Sequence, residues 1–218
     1  MESADSLVHR FIGATTMSAT NTLDTNKTLT LRFGTPIQRM SDHEFFEFCQ
    51  ANPELRIERT SDGDLIIMSP TGGNTGRRNF MLIGQFNIWV DQDGTGVGFD
   101  SSTGFILPNR AERAPDLSWV RNERWEALTE EERNVFPPLC PDFVAELHSP
   151  SDSLATLQDK MQEYIDNGAQ LGWLIDPIAK NVYIYQPGEV TTCLDEPDTV
   201  SGDPILPGFV LNLQKIWQ

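Results

Sequence analysis

Positive charge is in short supply in this chain. Lysine occurs only as Lys27, Lys160, Lys180 and Lys215, and Lys plus Arg number 16 against 32 Asp plus Glu, a formal net charge of −16 over 218 residues. Affinity for nucleic acid rests largely on Lys and Arg neutralising phosphates, so a module that binds nucleic acid by charge alone is excluded. Cysteine is scarcer still: Cys49, Cys140 and Cys193 form no metal-type pair, and an odd number makes no disulfide framework. Long apolar runs are missing as well. Phe80-Met81-Leu82-Ile83 stops at Gly84-Gln85, and Leu174-Ile175 stops at Asp176, far short of the ~20 residues a membrane span needs. The opening residues Met1-Glu2-Ser3-Ala4-Asp5 lack the basic and apolar regions of a secretory signal. These absences predict a cytoplasmic protein with reduced thiols and no membrane partner. What is present is a globular composition, 39% hydrophobic and 22% charged, at a length suited to one ordinary domain.

Residues 1–32, rich in Ser, Thr, Asn and Ala, read as a flexible arm that adds at most an edge strand near Leu29–Phe33. Residues 33–217 read as one α/β domain with mixed α and β segments. Ser41-Asp42-His43-Glu44 is a capping box that opens a helix with Phe45, Phe48 and Cys49 on one face. Leu55–Thr60 and Asp64–Ser69 form a hairpin around Asp62-Gly63. Asn74 to about Asp91 reads as a long helix. Gly96–Asp100, Phe105–Pro108 and Asp116–Val120 read as closely spaced strands, and a short acidic helix follows at Thr129–Asn134. In the strand Asp142–Ser149, Phe143, Ala145 and Leu147 alternate against Val144, Glu146 and His148. Leu154, Leu157, Met161, Tyr164 and Ile165 then mark an amphipathic helix that runs to about Asn167 and stops at Gly168. Leu171–Asp176 and Asn181–Gln186 form a second hairpin, and the acidic tail from Glu189 to Phe209 reads as solvated strand and loop.

Three residues in this pattern carry chemistry. Ala114-Pro115-Asp116 puts an acid at the start of a strand, and Val144-Ala145-Glu146-Leu147-His148 puts a second inside an apolar one. An unpartnered buried charge is costly, and two acids on neighbouring strands repel unless a cation lies between them or one stays protonated. Mg²⁺ suits such a pair, because it takes oxygen ligands and is often held by one or two carboxylates plus substrate phosphate. The third residue is Lys160. A strand climbs about 13 Å from Glu146 to Pro150 at ~3.3 Å per residue. A helix packed back along it descends about 10 Å from Ser153 to Lys160 at ~1.5 Å per residue. Lys160 therefore returns to the level of Glu146, on the flank of the buried stripe.

At these residues the sequence resembles the Uma-type restriction-endonuclease family of bacteria, a branch of the PD-(D/E)XK nuclease superfamily. The resemblance is carried by Asp62-Gly63-Asp64-Leu65-Ile66-Ile67-Met68-Ser69-Pro70-Thr71-Gly72, by Ala114-Pro115-Asp116, and by the run from Pro141 to Asp152. Lys160-Met161-Gln162-Glu163-Tyr164, Gly168 and Gly172-Trp173-Leu174-Ile175-Asp176-Pro177 continue it, so that it covers about Phe33 to Trp217. It implies a restriction-endonuclease-like fold, a central mixed sheet flanked by helices. It also implies that Asp116 and Glu146 match the two acids of the superfamily pattern and hold the metal, Mg²⁺ or Mn²⁺. The lysine slot two residues after Glu146 holds His148. In this family the lysine comes from the next helix, which here means Lys160.

Other residues admit two readings. Glu58 is a weaker candidate for an accessory acid or a surface acid of the hairpin. His148 shares a strand face with Glu146 and is either an accessory site residue or a neutral histidine bonded to a neighbour. Ser151 and Asp152 read as helix caps. Arg77, Arg78, Arg110, Arg113, Arg121 and Arg124 are the best set for contacting phosphates. The function implied is that of a Mg²⁺-dependent endonuclease hydrolysing DNA. The alternative is a nuclease fold that no longer cuts and serves as a binding or regulatory module. RNA is a further substrate class, since no residue here reads a 2′-OH. A homodimer is suggested only by analogy with other enzymes of the fold.

Overall fold

Alternation along Phe143–Leu147 (β9) organises the molecule. In this computed structural model, which describes residues 20–23, 29–32 and 40–218, every residue of β9 is buried. A strand buried on both faces lies at the centre of a covered sheet. Phe143, Ala145 and Leu147 point into one core with Leu82, Phe86, Trp119, Trp173 and Phe209. Val144 points into the other, with Val120, Met161, Tyr164, Leu174 and Tyr185. Glu146 shares the face of Val144, so alternation alone aims it at the second core.

The strand order of that sheet is β12 (Thr192–Asp195), β11 (Asn181–Tyr185), β10 (Leu171–Asp176), β9, β8 (Leu117–Arg121) and β5 (Gly96–Asp100). Only β9 and β10 run parallel, and the helix α5 (Leu154–Asp166) joins them as the crossover. The sheet is thus mixed, with helices on both faces. The long helix α2 (Gly73–Asp93) covers the first core, together with the two-stranded sheet of β13 (Thr199–Ser201) and β14 (Val210–Asn212) and the short helix α6 (Gln214–Trp217). α5 covers the second.

A second, antiparallel sheet has the order β1 (Thr20–Leu23), β2 (Leu29–Arg32), β4 (Leu65–Met68), β3 (Arg56–Arg59), β7 (Glu112–Arg113) and β6 (Phe105–Ile106). Helix α1 (Asp42–Ala51), opened by the expected Ser41–Glu44 capping box, packs Phe45 against Leu31, Ile57, Leu65 and Ile67 of this sheet. The edge strand expected near Leu29 pairs with β4, and Thr20–Leu23 extends the sheet by one strand. The rest of the segment read as an arm, residues 1–19 and 24–28, lies outside the described residues, as do residues 33–39. The remaining short helices are α3 (Asn122–Glu126) and α4 (Glu130–Asn134).

The tail differs from its expectation. Its acids are exposed, but Val200, Leu206 and Phe209 are buried and complete the first core. Apolar residues so sparsely spaced give no period to read, yet all three join the first core, where Phe209 packs on Phe86 and Trp89 of α2. Among the described residues no helix is long and apolar enough to cross a membrane.

Close packing at the sheet edge yields a stability prediction. A Cβ on Gly96 would overlap the Trp119 indole, a rigid ring that is itself buried against Trp89. Gly96→Ala is expected to cost about 1–3 kcal/mol through overpacking, read as a lower urea midpoint. A midpoint equal to that of the wild type would show that the edge can give way.

Candidate active site

Strand register brings the two acids together. β8 and β9 are antiparallel with Leu117 opposite Ala145 and Ser118 opposite Val144. One step further along the same register sets Asp116 opposite Glu146, at the cross-strand spacing of directly facing residues. Pro115 cannot donate a ladder hydrogen bond, and at Asp116 the side chain takes over. Its Oδ2 accepts from the Leu147 backbone N–H at 3.0 Å. Its Oδ1 lies 3.6 Å from a terminal nitrogen of Arg56.

The helical descent of α5 returns Lys160 to this level. Lys160 Nζ lies 2.8 Å from Glu146 Oε1 and 2.8 Å from Glu58 Oε1. One turn later on the same helix face, the Tyr164 hydroxyl donates to Glu146 Oε1 at 3.1 Å. Both donors take the same oxygen, which leaves Oε2 without a hydrogen-bond partner among the described residues. Glu58 reaches the cluster from β3. There it also accepts from the Ala114 backbone N–H at 3.1 Å and from Arg113 at 3.2 Å, and Arg113 goes on to Glu163 at 2.6 Å. Glu58 and Glu146 are only 2% and 4% exposed.

Electrostatics separates these two buried glutamates. For Glu58 burial works upward, but Lys160 and Arg113 outweigh it and hold the carboxyl down at about 2. For Glu146 burial prevails and pushes the carboxyl up to about 7; Lys160 opposes the rise, and the negative Asp116 and Glu58 add to it. Burial would lower the Lys160 ammonium, but Glu146 and Glu58 raise it above its ordinary value. Burial, followed by the charge of Glu146, lifts the Tyr164 phenol well above its ordinary range. At neutral pH the cluster therefore holds a charged lysine, a neutral tyrosine and one acid near its titration point.

A small cleft of about 80 Å³ opens this cluster to solvent. Asp116, Glu146 and Lys160 line it together with Arg56, Thr75 and Asp152. His148 is not among its lining residues. Its Nδ1 lies 2.9 Å from Asp176 Oδ1 and its Nε2 lies 3.3 Å from the Asp152 carbonyl, at the C-terminal ends of β9 and β10. The cap of α5 is Ser153, whose side chain accepts from the Thr156 N–H, whereas Asp152 accepts from Ser149 N–H and Oγ.

The arginines expected to contact phosphate have partners inside the chain. Arg121 and Arg124 both pair with Asp142, Arg110 pairs with Asp42, and Arg113 is buried between Glu58 and Glu163. Arg77 and Arg78 donate to carbonyls of α6. The arginine of the cleft is Arg56, which sequence reasoning passed over. Its signal was the Arg-Ile-Glu-Arg order of β3, which puts Arg56 and Glu58 on one strand face opposite Ile57. Tyr164 belongs by spacing to the apolar stripe of α5. Its place one turn from Lys160 was the available sign of a polar contact.

A central mixed sheet flanked by helices, with two facing acids at a cleft, is a restriction-endonuclease-like fold. The chain belongs to the Uma2 family, described as "putative restriction endonuclease", whose family model matches residues 42–214. Among solved structures the chain is similar to that of "a putative nuclease belonging to DUF820 from Anabaena variabilis ATCC 29413". The two share 22% sequence identity with a TM-score of 0.67, over 82% of this chain and 97% of the other. No curated protein matches the chain.

Proposed function

We propose that this chain is a Mg²⁺-dependent endonuclease of the cytoplasm that hydrolyses phosphodiester bonds of DNA, with the site carried by a domain of residues 33–217. The observation that supports this most is the facing pair Asp116 and Glu146, with Lys160 bonded to one of them, on the wall of a single open cleft. Among the described residues no group of three or more His, Cys, Asp or Glu forms a closed metal cage. Two carboxylates facing a cleft nevertheless suit Mg²⁺ or Mn²⁺, which take oxygen donors and complete their shell with water and substrate phosphate. Burial is the main cause of the raised Glu146 carboxyl, and the negative Asp116 adds to it; a cation between the two acids would relieve that added part. Asp116 and Glu146 would hold the ion, which when bound supplies Lewis-acid polarisation of the phosphate and a more acidic water.

The chain's own groups have distinct parts in this reading. Tyr164 and Lys160 fix Glu146 Oε1 and so aim Oε2 at the cleft. Lys160 Nζ is held between two carboxylates at the cleft wall, where its positive charge stabilises the negative charge that develops on the phosphoryl oxygens. Arg56 supplies a second positive charge for the approaching backbone. Glu58 accepts from Lys160 and keeps it in place.

Plasmid nicking with Mg²⁺ or Mn²⁺ tests this function directly. The wild type is expected to convert supercoiled to open-circular DNA, and Glu146→Ala and Asp116→Ala are not. Equal conversion by all three would overturn the assignment. A second reading, a nuclease fold that binds without cutting, draws on the full engagement of Lys160 by two acids and on His148 facing Asp176 instead of the cleft. Calorimetry separates the two: metal uptake that vanishes in Asp116→Ala favours the enzyme, and its absence in the wild type favours the binding module. Cleavage of end-labelled single-stranded RNA under the same metal conditions, compared with DNA, assigns the substrate class.

A further inference from the structure

The N-terminus of α2 opens on the cleft with its donors unused. Gly72 caps the helix without a side-chain hydrogen bond, and the first helical bond runs from the Gly76 N–H to the Gly72 carbonyl. The N–H groups of Gly73, Asn74 and Thr75 therefore have no partner among the described residues. They carry the positive end of a 21-residue helix, and no acid stands in its first turn.

A second observation is independent of the helix end. Thr75 is only 6% exposed, yet its side chain makes no hydrogen bond among the described residues, and it lines the cleft. One turn further along the same helix face, Asn79 also lines the cleft, and its buried Oδ1 has no partner. A buried polar group left unpaired is costly, so both side chains point to a polar occupant of the cleft. The glycines agree with this. Gly72, Gly73 and Gly76 have nothing within 4 Å of where a Cβ would stand, and none has a positive φ. Neither packing nor backbone conformation calls for glycine there, and the missing side chains leave the N–H groups bare to a ligand.

The donors select the ligand. Backbone N–H groups at a helix N-terminus, a hydroxyl, the Arg56 guanidinium and the Lys160 ammonium suit an anion with several oxygens, and phosphate is that anion. At about 80 Å³ the cleft is far smaller than the ~300–1,000 Å³ of a pocket that encloses a whole small molecule, so it admits one phosphate group and not a nucleotide. Three acids of the same cleft oppose an anion, and each is already engaged. Asp152 accepts from the Ser149 N–H and hydroxyl, Lys160 lies against Glu146, and Arg56 lies beside Asp116.

We infer that the N-terminus of α2 is a phosphate seat. The N–H groups of Gly73, Asn74 and Thr75 and the Thr75 hydroxyl hold the oxygens of one backbone phosphate of the nucleic acid in the cleft, without help from a metal. That the phosphate belongs to a nucleic acid rests on the nuclease reading; that a phosphate binds does not. The seat holds the phosphate in the cleft that Asp116 and Glu146 line, against the repulsion of those acids.

Titration of the full chain with inorganic phosphate in EDTA, followed by backbone amide signals in NMR, tests the seat. Saturable shifts are expected at Gly73, Asn74 and Thr75. Two variants each remove one donor and keep the fold. Thr75→Val keeps the shape of the side chain and loses the hydroxyl. Gly73→Pro removes an N–H at the first helical position, where proline is favoured, and Gly72 at φ −71° and ψ 162° already has the extended conformation that a following proline requires. Each variant is expected to weaken phosphate binding about tenfold, the worth of one hydrogen bond to a charged group. Gly73→Pro is expected to do so with a thermal midpoint at or above that of the wild type. No saturation up to tens of millimolar phosphate, or saturation that both variants leave unchanged, overturns the seat. Phosphate binding by a chain that nicks no plasmid upholds the seat and overturns the nuclease reading. Nicking by a chain whose two variants bind phosphate and cut like the wild type overturns the seat and upholds the nuclease.

Discussion

Replacing Lys160 with methionine is expected to lower the plasmid-nicking rate by roughly 10²–10³, the usual loss when one preorganised charge is removed from a transition state. Methionine keeps the length of the stem, so the change isolates the ammonium. Two effects combine in the loss. Burial already holds Glu146 near 7, and Lys160 is the group that opposes that rise. Without it the carboxyl is protonated over more of the neutral range, and a protonated acid is a poor ligand for a cation. The second effect is the direct loss of positive charge at the cleft wall. pH separates the two. If Lys160 serves only to keep Glu146 ionised, activity of Lys160→Met returns at pH 9. If it also stabilises the reacting phosphate, the deficit persists at pH 9, which is the expected result. A rate within a few-fold of wild type at pH 7 would remove Lys160 from the proposed machinery, provided circular dichroism shows the variant folded.

The sequence made the frame of this molecule readable where local chemistry is unambiguous. The capping box at Ser41, the stripe of α5 and the alternation of β9 each specify an element and the face it buries, and the structure has all three. The meeting of Asp116 and Glu146 was legible as two acids on adjacent strands, because the Pro-Asp step and the acid in an apolar strand are local signals. What could not be read is how distant segments complete the cluster. Glu58 comes from a hairpin in another sheet, and its partner Arg113 looked like a surface arginine, since nothing local says that both are buried. The charge arithmetic was misleading for the same reason. Glu58, Glu112, Asp116, Asp142, Glu146 and Asp176 are buried, so part of the negative excess lies inside, against Lys160, Arg59 and Arg113. The excess is therefore not spread evenly over the surface that DNA would meet. The arginines thought to offset it outside are engaged with acids or backbone carbonyls and do not line the cleft, so Arg56 and Lys160, which do line it, are the groups that make it attractive to phosphate.

Glu58→Ala is expected to be the most destabilising change in the cluster, at about 3–5 kcal/mol. Glu58 accepts from Lys160, Arg113 and the Ala114 N–H, so its removal leaves one buried donor unpaired and two buried cations with a single carboxylate each. The charge and the hydrogen bonds can be told apart with Glu58→Gln, which keeps an acceptor and loses the charge. The pH dependence then has a fixed sign. A carboxyl held at about 2 in the folded chain, against 4.5 ordinarily, contributes stability that is complete above 4.5 and is lost as pH falls toward 2. The gap between wild type and Glu58→Gln in urea midpoint should therefore be full at pH 7 and shrink steadily between pH 4.5 and 2. Glu146 works in the opposite sense: its raised carboxyl subtracts stability as pH climbs from 4.5 to about 7. Because Glu58 is one of the charges that raise it, Glu58→Gln should also draw that upper loss to lower pH. A gap unchanged between pH 7 and pH 2.5 would mean that Glu58 acts through its hydrogen bonds alone. Lys160 would then owe its position to Glu146 and Tyr164, with no contribution from the charge behind it.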